Sequence, residues 1–379
     1  MAISAGDPSG SRVNQAATCA AAIVLPAAFA FYEYHRLEDV RRISVRGIGD
    51  GQPDTTTTAS TSPAQASAST VVDSVPRTLS SATTFLIIAV DSNEPEGILG
   101  SRTDTIMLLT IDPDREQMRM LSIPRDLWVS APGSNSYNRI NSFASTGNPA
   151  ELVATIEALF DVSIDHLVEV DFIGFKALTD LAGGVSLISD APLRDTHTGL
   201  DLPGGQCVTL AGEQALALVR SRHTEYFDGS RWMTDPRSDF GRIARQQIFL
   251  RALTGGLFDE LDDPGSIDDF VSAAIKSLVV DAGLDAREMV STAWTIHGIG
   301  LAGLRTATVQ ASGAVVGGAA VLQASDQQIA DAANFLRDDV PSGAPITSST
   351  GASSPTDSPG SASAPTAVPS IPDLRPCTR

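Results

Sequence analysis

Four short segments gather the residue types that handle phosphate. Asp91 directly follows the apolar run FLIIAV, and Arg102 and Asp104 stand in SRTD just before the next apolar run. Ligand sites in open α/β sheets collect beyond the carboxyl ends of strands. Two carboxylates and a guanidinium there suit a divalent cation with a phosphate, since Mg2+ takes few carboxylates plus phosphate oxygens. An Asp after a strand is also an ordinary turn residue. In SIPRD, Arg125 projects just past a strand end, where its fork can hold phosphate oxygens bidentately; the alternative is a surface pair with Asp126. In LVRSRH, Arg220 and Arg222 stand two apart, so an extended segment aims both the same way. Such neighbouring like charges repel unless an anion lies between them, which in an acidic protein favours an anion site over the alternative of a solvated face. In DFGRIARQQ, Asp239, Arg242 and Gln246 are three and four apart and share one face of a helix. Phe240, Ile243 and Leu250 fall on a neighbouring, core-facing stripe. The alternative here is a plain Asp239–Arg242 salt bridge on the helix surface.

Other chemistries lack their residues. The sequence holds no GxSxG, no Walker GxxxxGK[ST] and no HExxH. The histidines, at 35, 166, 197, 223 and 297, show no metal-ligand spacing; His223, beside the Arg pair, reads as a phosphate contact or a structural residue. Cys19, Cys207 and Cys377 are too few for a disulfide scaffold and too scattered for zinc. Cys207 reads as a buried thiol, with a Cys207–Cys377 bond conceivable outside a cell. Net charge is −19, from 26 basic and 45 acidic residues, which opposes a nucleic-acid partner and a transcriptional regulator.

These segments need a scaffold, and the patterning supplies one. With 379 residues, 42% hydrophobic and 19% charged, the chain can bury a core. FLIIAV (85–90) fits a central strand buried on both faces. TIMLLTI (105–111) and QMRMLSI (117–123) flank DPDR, a hairpin with Pro113 at its second turn position. Asn148-Pro149-Ala150-Glu151 starts a helix, continued by Leu152, Val153, Ile156, Leu159 and Phe160. A strand near 167–171, a helix near 172–182, a strand near 185–189 and helices near 211–219 and 239–254 complete an α/β pattern.

Residues 1–15 form a short leading segment. Residues 16–32 (AATCAAAIVLPAAFAFY) carry no charge and are just long enough to cross a bilayer as an anchor; a cleaved signal peptide is the other reading. Arg12 precedes this segment and Arg36, Arg41, Arg42 and Arg46 follow it, so the positive-inside rule alone leaves the large domain in the cytoplasm. The Ser/Thr/Pro stretch 53–70 points outside instead. Residues 33–81 read as a flexible spacer, 82–338 as the folded domain and 339–379 as a disordered Ser/Pro tail.

Taken in order, FLIIAVD, SRTDTIMLLTID (101–112), LSIPRDLWV (121–129), RINSFASTG (139–147), LAGGV (181–185), LAGEQALALVRSRH (210–223) and DFGRIARQQ (239–247) resemble the LytR-CpsA-Psr family of bacterial cell-wall proteins. The resemblance covers about 82–338. It implies a three-layer α/β/α fold with a mixed central sheet behind one transmembrane helix. It also implies a membrane-anchored, extracytoplasmic phosphotransferase, with the domain outside the cell membrane. Such an enzyme moves a glycopolymer from a polyprenyl-diphosphate carrier to a peptidoglycan hydroxyl. In the family that polymer is a teichoic acid, a capsule or, in mycolic-acid-forming relatives, arabinogalactan; the Ala-rich anchor and acidic charge look actinobacterial. Carried over by motif, Asp91 and Asp104 hold Mg2+ (or Mn2+), while Arg102, Arg125, Arg220 and Arg222 bind the diphosphate. Asp239, Arg242 and Gln246 complete the pocket. Arg125 faces the moving charge, and Asp104 and Asp239 both qualify as the base. Between Arg222 and Asp239 the chain is long for the family, with Tyr226, Trp232 and Pro236, and reads as a lid or an acceptor loop. Hydrolysis of the diphosphate, or binding of a lipid-linked glycan without turnover, would use the same pocket.

Overall fold

The computed structural model describes residues 37, 39–45, 47–48, 79–90, 103–144, 149–260, 275, 278–337 and 373–377. The proposed anchor 16–32 and residues Asp91 and Arg102 lie outside the described residues, as does the side chain of Asp104. Among the described residues no helix is long and apolar enough to cross a membrane.

In chain order the strands are β1 (Arg41–Ile43), β2 (Thr83–Val90), β3 (Thr103–Asp112), β4 (Gln117–Ile123), β5 (Trp128–Ser130), β6 (Tyr137–Arg139), β7 (His166–Asp171), β8 (Val185–Ser189) and β9 (Leu193–Asp195). They continue with β10 (Leu200–Leu202), β11 (Cys207–Leu210), β12 (Glu225–Phe227), β13 (Trp232–Thr234), β14 (Leu278–Asp281), β15 (Leu304–Thr308), β16 (Ser312–Val316), β17 (Ala319–Gln323) and β18 (Leu374–Pro376). The helices are α1 (Pro149–Phe160), α2 (Phe172–Leu181), α3 (Gly212–Arg220), α4 (Ser238–Glu260), α5 (Ala286–Ile299) and α6 (Asp326–Arg337).

A seven-stranded mixed sheet, ordered β1-β14-β7-β2-β3-β4-β15, forms the centre. The apolar run of β2 is its middle strand, antiparallel to β3 and parallel to β7. Alternation divides that run between two cores. Leu86 and Ile88 face α1 and α6, packing with Leu152, Ile156 and Phe335. Phe85 and Ile87 face α5, packing with Ala286, Met289 and Ile296. Helices therefore cover both faces. The β3–β4 hairpin turns through Pro113–Glu116, where the Asp112 carboxylate accepts from the Arg115 amide at 3.1 Å. Asp171 ends β7 and caps α2, its carboxylate accepting from the Gly174 amide at 2.6 Å.

A third core lies beside this one, where α2, α3 and α4 pack with β8 and β18 around Phe172, Leu187, Leu218 and Phe249. Here the expected boundaries need correction. The span 33–81, read as spacer, supplies β1, which pairs in parallel with β14, and it buries Leu37, Val40, Val45, Ile48 and Leu79. The span 339–379, read as a disordered tail, supplies β18, antiparallel to β8. Cys377 is disulfide-bonded to Cys207, so Cys207 is no buried thiol. A few apolar residues and one cysteine suffice to dock a polar segment, and composition averaged over 40 residues hides them. The insertion after Arg222 is also no free loop. Strands β12 and β13 form a hairpin in the four-stranded sheet β10-β9-β12-β13, with Tyr226 buried and the Arg194 guanidinium 3.9 Å over the Trp232 ring.

Candidate functional site

The carboxyl ends of β2, β4, β7 and β15 all point to one edge of the sheet, because β2 parallels β7, β4 parallels β15, and antiparallel β3 joins the two pairs. Helix α4 crosses that edge and is pinned there by two consecutive glutamines. Gln246 Nε2 donates to Thr105 Oγ1 of β3 at 2.9 Å and to the Val219 carbonyl at 3.0 Å. Gln247 Nε2 donates to Ser122 Oγ of β4 and to the Ala307 carbonyl and Thr308 Oγ1 of β15, each at 3.0 Å.

One turn back along α4, charges converge. Arg242 is only 2% exposed, and its Nη2 meets Asp239 Oδ1 at 2.9 Å. Arg222 reaches the same oxygen with Nε at 3.2 Å and Nη2 at 3.0 Å, and Asp126 Oδ2 with Nη2 at 3.3 Å. Asp126 lies 3.7 Å from Arg125 Nε and 3.6 Å from Arg139 Nε. Four guanidinium groups thus surround two carboxylates, a local excess of positive charge within an acidic chain. Asp239 Oδ2 is buried and has no hydrogen-bond partner. Such an orphaned oxygen costs about 1–3 kcal/mol unless a ligand satisfies it.

Arg220 and Arg222 do not extend side by side as expected. Arg220 ends α3, and its guanidinium sits 4.3 Å over the Phe172 ring. The chain turns at Ser221 and sends Arg222 to the carboxylates. Asp195 shapes that turn: its carboxylate accepts from Ser221 Oγ at 2.7 Å and from the amides of Arg222 at 3.1 Å and His223 at 2.9 Å. Burial alone would raise the Asp195 pKa, but the bonds from Ser221, His223, His197 and Arg222 outweigh it and hold the carboxyl below its usual range. His223 lends its amide to the turn, and its ring lies 4.6 Å from that of His197.

A second buried pair secures the start of α4. Asp235 accepts from Arg245 at 3.3 Å and Arg237 at 2.9 Å, and Arg245 Nη2 donates to the Ser221 carbonyl at 2.5 Å. Burial lowers the Arg245 pKa to about 10 against the pull of Asp235, so it stays charged near neutrality. Asp195, Asp235, Arg139 and Arg245 were not singled out in the sequence. Arg139 stands in RINS and Arg245 three residues after Arg242, which are the only hints either gives.

Among the described residues no three His, Cys, Asp or Glu side chains are grouped to hold a metal ion. The strand register does bear on the expected carboxylate pair. Ala89 pairs with Thr105 and Val90 with Thr103 across a bulge, so the backbone of Asp104 lies beside the strand end that Asp91 follows.

Comparison with known proteins adds a family likeness. The model of the LytR_cpsA_psr family matches residues 50–338. The polyisoprenyl-teichoic acid–peptidoglycan teichoic acid transferase TagU of Halalkalibacterium halodurans is 31% identical over 195 residues, which is 51% of this chain and 60% of that protein. The chain's match thus spans under two thirds of that relative's length. Among solved structures, a LytR-Csp2A-Psr enzyme from Actinomyces oris superposes with a TM-score of 0.56 at 23% identity, over 67% of this chain and 89% of that one. B. subtilis TagV does so with a TM-score of 0.56 at 25% identity, over 68% and 96%. Both share the mixed α/β architecture with its central mixed sheet.

Proposed function

The chain belongs to the LytR_cpsA_psr family, and from that premise we propose that it is a membrane-anchored phosphotransferase joining a polyprenyl-diphosphate-linked glycopolymer to a peptidoglycan hydroxyl. The observation that carries the proposal is the convergence of Arg222 and Arg242 on Asp239, beside Arg125, at the carboxyl ends of the sheet. That arrangement suits a diphosphate, whose transfer needs positioning and charge stabilisation more than covalent help. The curated relative is named for this transfer with teichoic acid as the polymer.

In the proposed reaction the acceptor hydroxyl oxygen attacks the sugar-linked phosphorus. The P–O bond to polyprenyl phosphate breaks, a phosphodiester forms, and the hydroxyl proton passes to Asp239 or Asp104. Arg125, Arg222 and Arg242 hold the diphosphate oxygens, with Arg102 and Arg220 as further contacts, and Gln246 fixes α4 against the sheet. Asp91 and Asp104 are the oxygen donors we assign to Mg2+ or Mn2+, ions that take few carboxylates plus phosphate oxygens. When bound, the ion would offset charge on the phosphate oxygens. The anchor is residues 16–32, with the domain outside the cell membrane; the Cys207–Cys377 bond supports that side, since disulfides persist in oxidising compartments.

The test combines the full chain in detergent, a polyprenyl-diphosphate-sugar donor, a peptidoglycan fragment and Mg2+, followed by mass spectrometry. A phosphodiester adduct is expected, with its rate falling about 100- to 1,000-fold in Arg222→Ala. Sugar phosphate released without adduct would assign a hydrolase instead. Donor binding without either product would assign a binding module.

A further inference from the structure

A groove of about 540 Å³ opens beside the arginine cluster, between the start of α4 and the β16–β17 hairpin. Asp126, Arg237 and Asp239 line one wall; Gly313, Val315 and Ala320 belong to the other. We propose that this groove seats the acceptor saccharide and that the β16–β17 hairpin selects it. The inference rests on the transferase reading and specifies where its second substrate lies.

Four observations converge on a neutral, hydroxyl-rich ring as occupant. The groove shares Asp126 and Asp239 with the arginine cluster, so a ligand there adjoins the anion site. Its walls differ in character. One carries carboxylates, which accept from hydroxyl donors; the other is small and apolar, matching the C–H face of a sugar. A lipid chain would leave the charged wall unsolvated. Asp239 Oδ2, buried and without a partner, lacks the donor that a bound hydroxyl supplies once the side chain adjusts. The hairpin is also fastened to the loop that bears Arg125. The Leu322 amide donates to the Asp126 carbonyl, and Arg139 Nη2 donates to the Ala320 carbonyl at 2.8 Å. Hairpin and phosphate-binding loop therefore form one unit, and 75%-exposed Val315 stands on it.

Two variants probe the groove without touching the charged cluster. A Cβ at Gly313 meets nothing within 4 Å, so a side chain can start there without a backbone clash, and Gly313→Tyr adds a ring to the groove wall. Val315→Asp alters an exposed position, and melting curves check that both fold. The full chain in detergent is titrated calorimetrically with a peptidoglycan tetrasaccharide and, separately, with the polyprenyl-diphosphate-sugar donor. Both variants should bind the tetrasaccharide about tenfold or more weakly than wild type, with donor affinity unchanged within about twofold. Unchanged tetrasaccharide affinity in folded variants overturns the assignment. So does no tetrasaccharide binding by wild type, or donor affinity that falls in parallel. If wild type binds the tetrasaccharide, the variants weaken it and no adduct ever forms, the groove still seats a saccharide, but the transferase reading and the acceptor role it gives the groove both fail.

Discussion

Asp195 makes the clearest case at the scale of single residues. Its carboxylate gathers one hydroxyl and the amides of Arg222, His223 and His197, fixing the turn that aims Arg222 at Asp239. Asp195→Ala should cost about 3 kcal/mol in urea denaturation, from several lost bonds to a charged acceptor; a loss under about 1 kcal/mol would deny it that role. Gly241 makes a second case. A Cβ there would lie 2.8 Å from Asp235 Oδ2 and 3.2 Å from Arg245 Nη1, inside a buried ion pair with little room to move. Gly241→Ala should therefore cost about 1–3 kcal/mol, the range for overpacking, and an unchanged denaturation midpoint would refute that. The Asp239–Arg242 pairing follows from helical spacing and is readable in DFGRIARQQ. Asp195 is not readable, because its partners Ser221, Arg222 and His223 lie 26 to 28 residues away and no periodicity links a turn acid to them. The Arg220–Arg222 geometry departs from the spacing's expectation for a related reason. A two-residue spacing implies a common direction only in extended chain, and here a helix ends between the two.

The strands around the site were legible as elements because they are apolar enough to announce burial. FLIIAV became the middle of the sheet, and QMRMLSI matches the observed Gln117–Ile123. β1 and β18 were not legible: each is three residues long, sits in polar sequence and gains its order from a distant partner. Disulfide loop entropy puts a figure on the second case. The cysteines are 170 residues apart, and closing so long a loop is worth about 5 kcal/mol in the chain-entropy account. Cys377→Ser, or wild type under reductant, should thus melt several degrees lower, by a similar amount in each. Equal melting temperatures with and without reductant would show that the β8–β18 pairing alone holds the C-terminal strand.

At the scale of the whole molecule, stability answers to pH from both the acid and the alkaline side. His166, at the start of β7 and away from the arginine cluster, lies between Asp281 and Glu288, 3.1 Å from each. Burial works against its charge, but the hydrogen bonds and charges of those two acids win and raise its pKa from 6.5 to about 9. The folded state thus holds a proton that the unfolded chain releases between those values. Its stabilisation is complete below pH 6.5 and disappears as pH rises through about 9, worth at most about 3 kcal/mol. Glu169, raised from 4.5 to about 7 chiefly by burial, acts in the same direction between those values. Asp195, Asp235 and Asp281 are held low, so their stabilisation is lost only as pH falls below the ordinary carboxylate range. Denaturation in urea at pH 6 and pH 9.5 should show wild type weakening and His166→Gln weakening less. Equal losses would place the pH response elsewhere.

The Cys207–Cys377 bond also changes what a protease can do. Residues 207 to 377 form a covalent ring holding Arg222, all of α4, the β16–β17 hairpin and α6. One cut inside that ring opens it without dividing the molecule. The nicked protein would run as a single band on a non-reducing gel and separate into two only with thiol. Shedding any part of the ring after such a cut takes a second cut or a reductant, so Arg222, Asp239 and Arg242 keep their covalent link to Arg125 and Arg139 through a single cut within the ring.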